Sequence, residues 1–535
     1  LALCLEAMQR ARRSGDYPSA FGYLQTATTL LSHLPARDDE LAFTLRLEEA
    51  RCKFMEGSLT DAATLCQALM EQPGSAEETA MASRLLAEIY LRHSDPNRAL
   101  DVALEGLRRF DITFTRDPSD AMCDEAWQRI RARTGDDPAA VFNALPLLSN
   151  RDIETVMDLM LSAQLPANYA APRLHFLLLC RMVQLTLDHG ICSASTTALG
   201  WLGVAAGERY HVYPLSFQFG IVGRDLVQHY GFESAEARTL LPLNQLSVWT
   251  QPLSFSVECA RASFIAGITH GDLTSACFAA CQQVMNFLTR GDHLDSILTT
   301  LDRCLAFVER AHFPDVRTML TILRLYVEHW RDPAASAFTG KTFLPETLVQ
   351  TVHEDGETMM PLMLFGYWLY KGIAHYCAQE YDAASHCFEQ TDAQAWSASG
   401  QNNFADFHYF SALCLAGPLT PATVSAAHRA QFMLHLQRVE QWARVNPHNF
   451  SDKAALLRAE LARLDDDRAA ALEWYEMAAR YSRDAGMDHC NGLAHELAGR
   501  FAHACGYPTS AAGHIKAAIA AWSRWGAQAK VHQLE

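Results

Sequence analysis

Lysine is nearly missing from this chain. Of its 44 basic residues only Lys53, Lys341, Lys371, Lys453, Lys516 and Lys530 are lysines, the rest being arginine. No run of Lys and Arg makes the stripe that neutralises successive phosphates, and the formal net charge is −17. Together these exclude nucleic acid and an anionic membrane surface as direct partners. A bilayer-spanning run is missing too: the longest apolar stretch, roughly residues 358–370, stops at Lys371, short of the ~20 residues a membrane helix needs. There is no CxxC pair. The fifteen cysteines are odd in number and scattered through apolar patterns, with Cys277 and Cys281 four apart on one helix face, so buried free thiols in a reducing cytoplasm are expected. Neither a start methionine nor a basic segment precedes Leu1, and the chain is therefore expected to be a piece of a longer protein without a signal peptide.

The motifs of common chemistries are also lacking. No HExxH pair, zinc-type Cys/His spacing, GxSxG elbow or kinase signature occurs, so no catalytic residue, metal ligand or cofactor site is assigned. Residues 335–342, ending Gly340-Lys341-Thr342, match a phosphate loop only with Ala335 in place of its first glycine. Such a loop needs a strand before it and a helix starting at the lysine. Residues 318–330 read instead as an amphipathic helix, so the match is taken as chance. His353, Glu354, Asp355 and Glu357 make a solvated acidic loop in preference to a cation site. The aromatics Trp201, Tyr210, Tyr213, Phe217 and Phe219 are close enough in sequence for a ligand cage, but packing between helices explains them more simply.

What the chain has is helix. Nearly every segment places apolar residues at i, i+3, i+4 and i+7, and strand-type alternation hardly occurs. The helices come in pairs joined by small-residue turns, as in tetratricopeptide (TPR) units, where small residues let the second helix approach the first. Gly15, Asp16 and Tyr17 make the first turn, followed by Ala20, Leu24 and Ala27. Ala50, Gly57, Leu59 and Ala62 mark a second unit. A third has Leu86, Ala87 and Tyr90, the turn Ser94-Asp95-Pro96, then Ala99 and Ala103. The pattern returns late, with Trp368, Gly372, Tyr381, Ala384 and Phe388; with Ala459, Asp465-Asp466-Asp467, Ala471, Tyr475 and Ala478; and with Gly499, Gly506, Ala511, Ile515 and Ala518. Ala20, Ala62 and Ala99 are 42 and 37 positions apart, more than the ~34 of a standard unit, which implies longer helices or linkers. In the middle, Gly271, Asp272, Leu273 and Ala276 mark one unit, and residues 219–230 look like half of another. Prolines and polar residues within 111–152 and 332–357 suggest two junctions. The expected fold is therefore all-α, with TPR-like helical hairpins forming an α-solenoid, in blocks 1–112, 113–350 and 351–535.

In such a solenoid the first helix of each pair lines the concave surface. By register Lys453, Glu460 and Arg463 of one late unit, and Glu496, Arg500 and His503 of the last, are the candidates for contacting a partner in that groove.

Some segments resemble a known family. These are Leu47 through Gly57 to Ala62, Ala99 to Leu107, Asn491 to Ala498, and above all Trp522-Ser523-Arg524-Trp525-Gly526-Ala527 with Ala529, Lys530, Val531 and Leu534. They are similar to the helical region of bacterial predicted-ATPase (STAND/AAA-type) signalling proteins of the serine/threonine kinase–ATPase–GAF–sensor histidine kinase type. The resemblance implies a kinase-like domain and an ATPase before this region, and often a GAF sensor with a histidine kinase after it. None of their motifs stands here, so no catalytic residue carries over. A non-catalytic interaction and signal-relay region is expected, cytoplasmic, contacting a protein partner or the neighbouring domains. The alternative is a small-molecule-sensing module like that of large LuxR-like or MalT-like regulators.

Overall fold

The computed structural model describes residues 1–13, 17–33, 39–72, 74–332 and 360–535. Of the expected features, Gly15, Asp16, the phosphate-loop match at 335–342, the acidic loop at 353–357 and nearly all of the second junction lie outside them. The fold is all-α, with helices packed in adjacent pairs as an α-helical repeat solenoid. Among the described residues the α-helices are α1 (Ala2–Arg13), α2 (Tyr17–Ser32), α3 (Asp39–Met55), α4 (Leu59–Glu71), α5 (Ala76–Arg92), α6 (Pro96–Arg108), α7 (Asp120–Thr134), α8 (Pro138–Phe142), α9 (Arg151–Ala170), α10 (Pro172–His189), α11 (Ser193–Tyr210), α12 (Tyr213–Tyr230), α13 (Glu236–Val248), α14 (Leu253–His270), α15 (Leu273–Arg290), α16 (Leu294–Arg310) and α17 (Pro314–Arg331). They continue as α18 (Pro361–Cys377), α19 (Tyr381–Gln394), α20 (Asn403–Ala416), α21 (Ala426–Val445), α22 (Pro447–Leu464), α23 (Arg468–Asp484), α24 (Asp488–Ala504), α25 (Pro508–Trp525) and α26 (Gln528–Leu534).

The turns form where the sequence places its punctuation. Gly271 ends α14 with φ +76°, and Asp272 caps α15 by accepting from the Ser275 N–H. Asp95 and Asp467 cap α6 and α23 in the same way, each satisfying a backbone donor that the first helical turn leaves free. The small residues sit on the seams: Ala20, Ala50, Ala62, Ala99 and Ala103 are all fully buried. A Cβ at Gly203 of α11 would lie 2.6 Å from the Ser216 carbonyl oxygen of α12, so only glycine permits this approach.

Within 111–152 the short helices α7 and α8 are set between non-helical stretches at 111–119, 135–137 and 143–150. Pro138 occupies the first turn of α8, where its missing N–H costs nothing, and Pro118 precedes Ser119, the N-cap of α7. Pro146 accepts from the Ile191 N–H at 2.8 Å. That contact requires Gly190, at φ +108°, whose Cβ would fall 2.5 Å from the Pro146 oxygen.

One continuous apolar core runs from Ala80 in α5 to Ala527 ahead of α26, with smaller clusters under α1–α4. The superhelix also turns back on itself. Arg92 of α5, 5% exposed, donates to the Ala311 carbonyl at 2.9 Å and lies between the Phe54 and Phe313 rings. Ser94 reaches Asp315 at 2.8 Å. Further along, Trp442 of α21 donates to the Tyr213 hydroxyl at 2.9 Å, and Asn446 and Asn449 donate to the Val248 and Gln251 carbonyls. Pairs far apart in sequence thus close a ring.

All fifteen cysteines are free, and all but Cys4 and Cys505 are buried. Burial pushes the thiols of Cys66, Cys277 and Cys377 up to about 12, which suppresses the reactive thiolate. Titration of the native protein with a thiol reagent is expected to give at most two fast-reacting groups, and fifteen after denaturation. Six or more fast groups in the native state would contradict this packing.

Candidate functional site: a central cavity and a C-terminal clamp

Inner helices between α3 and α20 face one central cavity of about 320 Å³. Its wall takes Arg51 from α3, Leu85 from α5, Leu165 from α9, Trp201 from α11, Gln245 from α13 and Met285 from α15. Met319 of α17, Met363 of α18 and Asn403 of α20 complete it. The inner-helix surface predicted by the repeat register is therefore present, as the wall of a half-open pocket. Its volume lies within the usual range of small-molecule sites.

The lining is mainly apolar, and carboxamides interrupt it: Gln164, Gln245, Gln282, Gln401 and Asn403. A directed chain of side-chain amides runs behind two of them. Asn402 donates to Asn286 at 3.0 Å, Asn286 to Asn244 at 2.6 Å, Asn244 to Gln282 at 3.4 Å, and Gln282 to Gln401 at 2.5 Å. Buried amides held this way have fixed orientations. The Gln401 loop is seated by Gly400, at φ +84°, where a Cβ would strike Val204 of α11 at 2.5 Å. Gln164 is held from behind by His175 Nε2 at 3.1 Å. The His175 ring is 6% exposed, and burial lowers its pKa to about 4, keeping it neutral.

The six charged residues chosen by register lie elsewhere. Lys453, Glu460 and Glu496 are 3%, 4% and 1% exposed and are interior staples, which corrects their expected place on an open groove. Lys453 pairs with Asp452 at 3.5 Å and donates to the Asn449 carbonyl. Glu460 receives both Arg463, at 2.6 Å, and the Tyr475 hydroxyl, while Arg463 also donates to the Ala416 and Leu419 carbonyls at the end of α20. Glu496 takes Arg500 and Lys530 together. His503 is exposed. Register identifies the inner face of a helix, but whether that face meets solvent or a neighbouring pair is decided by closure. The aromatic group packs between helices, as expected, and forms no cage: Tyr210 and Phe219 both meet Trp127, Phe217 meets Phe255, Tyr213 meets Trp249, and of the five only Trp201 reaches the cavity.

A second feature lies at the C-terminal end. Lys530 of α26, 2% exposed, donates to the Cys377 carbonyl of α18 at 2.7 Å and pairs with Glu496 at 2.9 Å. Beside it Trp330 of α17 stacks on Trp522 of α25, centroids 5.7 Å apart and planes within 7°, and Trp525 closes the triad. A small void of about 50 Å³ adjoins this triad and is also lined by Asp406, Lys453 and His489. Two helices reach both features. In α17, Met319 lines the cavity and Trp330 joins the clamp; in α18, Met363 lines the cavity and Cys377 receives Lys530. At 1.5 Å per residue these are spans of about 16 and 21 Å.

Helical periodicity alone marks neither the carboxamide wall nor the clamp as a site. The available signal was the density of amides in otherwise apolar helices, as at Asn244-Gln245, Gln282 to Asn286 and Gln401-Asn402-Asn403.

Fold and site define an α-helical repeat protein whose inner face lines a pocket. No family model matches the chain. It is similar to the hybrid signal transduction histidine kinase G of Dictyostelium discoideum, at 21% identity over 374 residues, covering 64% of this chain and 11% of that protein. The chain thus spans about a tenth of this relative's length, and the likeness supports a signalling-related role. No described helix is long and apolar enough to cross a membrane.

Replacing Lys530 with methionine should strip α26 from α18 and leave Glu496 with Arg500 alone. The expected result is a loss of about 3 kcal/mol, with amide protection falling first at residues 528–534; hydrogen exchange indistinguishable from the parent would contradict the clamp. For His175 the folded pKa lies below the unfolded value of about 6.5. The unfolded state therefore binds the extra proton between pH 6.5 and about 4, and stability falls as pH drops through that window. Asp406, raised to about 6 mainly by burial, acts with the opposite sign over roughly pH 4–6. In denaturant titrations His175→Gln should flatten the acid side by about 1.4 kcal/mol per pH unit; parallel curves would contradict the assignment.

Proposed function

We propose that this chain is the non-catalytic helical-repeat interaction and relay region of a larger multidomain ATPase/kinase signalling protein. It receives an input at the inner face and passes it to the domain beyond α26. The observation that carries this is the sharing of α17 and α18 between cavity wall and C-terminal clamp. Rigid packed helices transmit a shift at one end to the other, because their interfaces hold discrete arrangements and do not deform continuously. The likeness to a signal transduction histidine kinase supports the signalling setting, and the family resemblance supplies the ATPase and kinase neighbours. Partners on this account are the adjacent domains of the same polypeptide or a docked protein, in the cytoplasm.

A second reading, a small-molecule-sensing module of a LuxR-like or MalT-like regulator, is favoured by the cavity itself. Both share the same inner pocket and differ in the domain beyond α26: a GAF and histidine kinase pair in the first, a DNA-binding helix-turn-helix in the second.

Met319→Trp pushes bulk into the cavity at one end of α17. Hydrogen exchange at residues 528–534, at the far end, is expected to change several-fold in that variant, whereas an unchanged rate there, with α17 itself perturbed, would overturn the relay. The purified chain is also expected to hydrolyse no ATP. Turnover abolished by Lys341→Ala would overturn the non-catalytic assignment.

A further inference from the structure

We propose that the central cavity is a binding site for an uncharged, drug-sized molecule that presents an N–H or O–H donor to Gln245 and a donor with an acceptor to Asn403, and packs an apolar body against the methionines of the wall. This names the input of the relay. It rests on that reading for its consequence at α26, while the binding itself is separately measurable.

The donor requirement comes from two buried acceptors. Gln245 is 3% exposed and Asn403 1%, and both line the cavity. Gln245 Oε1 and both Asn403 Oδ1 and Nδ2 have no hydrogen-bond partner in the protein, so Asn403 asks for an acceptor beside the donor. An acceptor buried without a donor is destabilising, so a ligand supplying donors there recovers what folding leaves unsatisfied. The neighbouring carboxamides are different. Gln282 and Gln401 are tied into the amide chain, and Gln164 is tied to His175. The unsatisfied acceptors are thus confined to two positions, on α13 and at the start of α20, beside the loop that Gly400 seats.

Neutrality comes from the charges of the wall. Arg51 pairs with Glu48 at 2.8 Å, Arg84 with Asp158 at 2.5 Å, and Arg238 with Asp272 at 3.4 Å. Glu88 accepts from Thr274 at 3.2 Å. With the three wall arginines already paired to carboxylates, an anionic ligand would lose its hydration without gaining a counter-ion. The apolar body is dictated by the remaining wall: Met285, Met319 and Met363, with Leu165, Leu241 and Phe278. Methionine is flexible and polarisable and moulds itself to flat or irregular apolar surfaces. Met319 and Met363 belong to α17 and α18, so a bound molecule would press on both helices that continue to the Lys530 and Trp330 clamp.

Three probes of one shape separate these requirements: 2-naphthamide, which is neutral with N–H donors; methyl 2-naphthoate, which is neutral and only accepts; and 2-naphthoate, which is charged. Calorimetry on the full chain is expected to give 2-naphthamide at least tenfold tighter binding than either of the others. Gln245→Leu and Asn403→Leu, close to the native side chains in size, should each weaken the amide about tenfold, and Gln245→Leu should leave the ester unchanged, with thermal unfolding confirming that the variants fold. Equal affinities for amide and ester, absence of saturable binding by the amide, or amide binding unaltered in both leucine variants would overturn the assignment. Amide binding that leaves exchange at residues 528–534 unchanged would overturn the relay and keep the site, whereas no amide binding alongside a responsive Met319→Trp variant would do the reverse.

Discussion

A helix pair covers only part of its own apolar surface, and the next pair must cover the rest. That constraint shapes this molecule from Ala80 to Ala527, where one core is handed from pair to pair without a break. It also explains the abundance of alanine and glycine at the seams. Close approach of backbones, as at Gly203 against Ser216, brings the outer helices near enough for the inner ones to turn through a tight superhelix. The curvature is sufficient for the array to meet itself, and the inner helices then line a half-open pocket where an extended solenoid would have a long groove.

Closure assigns new duties to polar residues. Arg92, Trp442, Asn446 and Asn449 bond across the ring to partners distant in the chain. Glu460 and Glu496 become the centres of interior ion pairs that staple the late repeats and hold α26 down. Burying such charges is expensive, and removing one partner is worse than never having had the pair. These staples therefore specify which helices meet. The same geometry puts α17 and α18 under the influence of the cavity at one end and of the clamp at the other.

The sequence was informative wherever a signal is local. Gly271-Asp272-Leu273 and Asp465-Asp466-Asp467 marked helix turns because capping and left-handed backbone are decided within a few residues. Within 111–152 proline carries two meanings, since Pro138 begins α8 whereas Pro118 and Pro146 stand in non-helical stretches. What periodicity could not convey was closure. Arg92 and Ala311 are 219 positions apart, and nothing in either neighbourhood announces the other. Without closure, Lys453, Glu460 and Glu496 read as groove residues, and the amides that do face the interior space read as scattered polar substitutions. The C-terminal Trp522 to Lys530 segment stood out by family resemblance, and the structure gives its side chains a physical role, stacking on α17 and bonding to α18.

Small-angle X-ray scattering tests closure most directly. A ring folded around one cavity has the compactness of a globular chain of this length, with a radius of gyration of about 24 Å. The same helix pairs laid out as an open array, at ~10 Å per pair, would approach a rod with a radius on the order of 40 Å. We expect a value close to the first, and one near the second would show that the inner helices line a long open groove and form no central pocket.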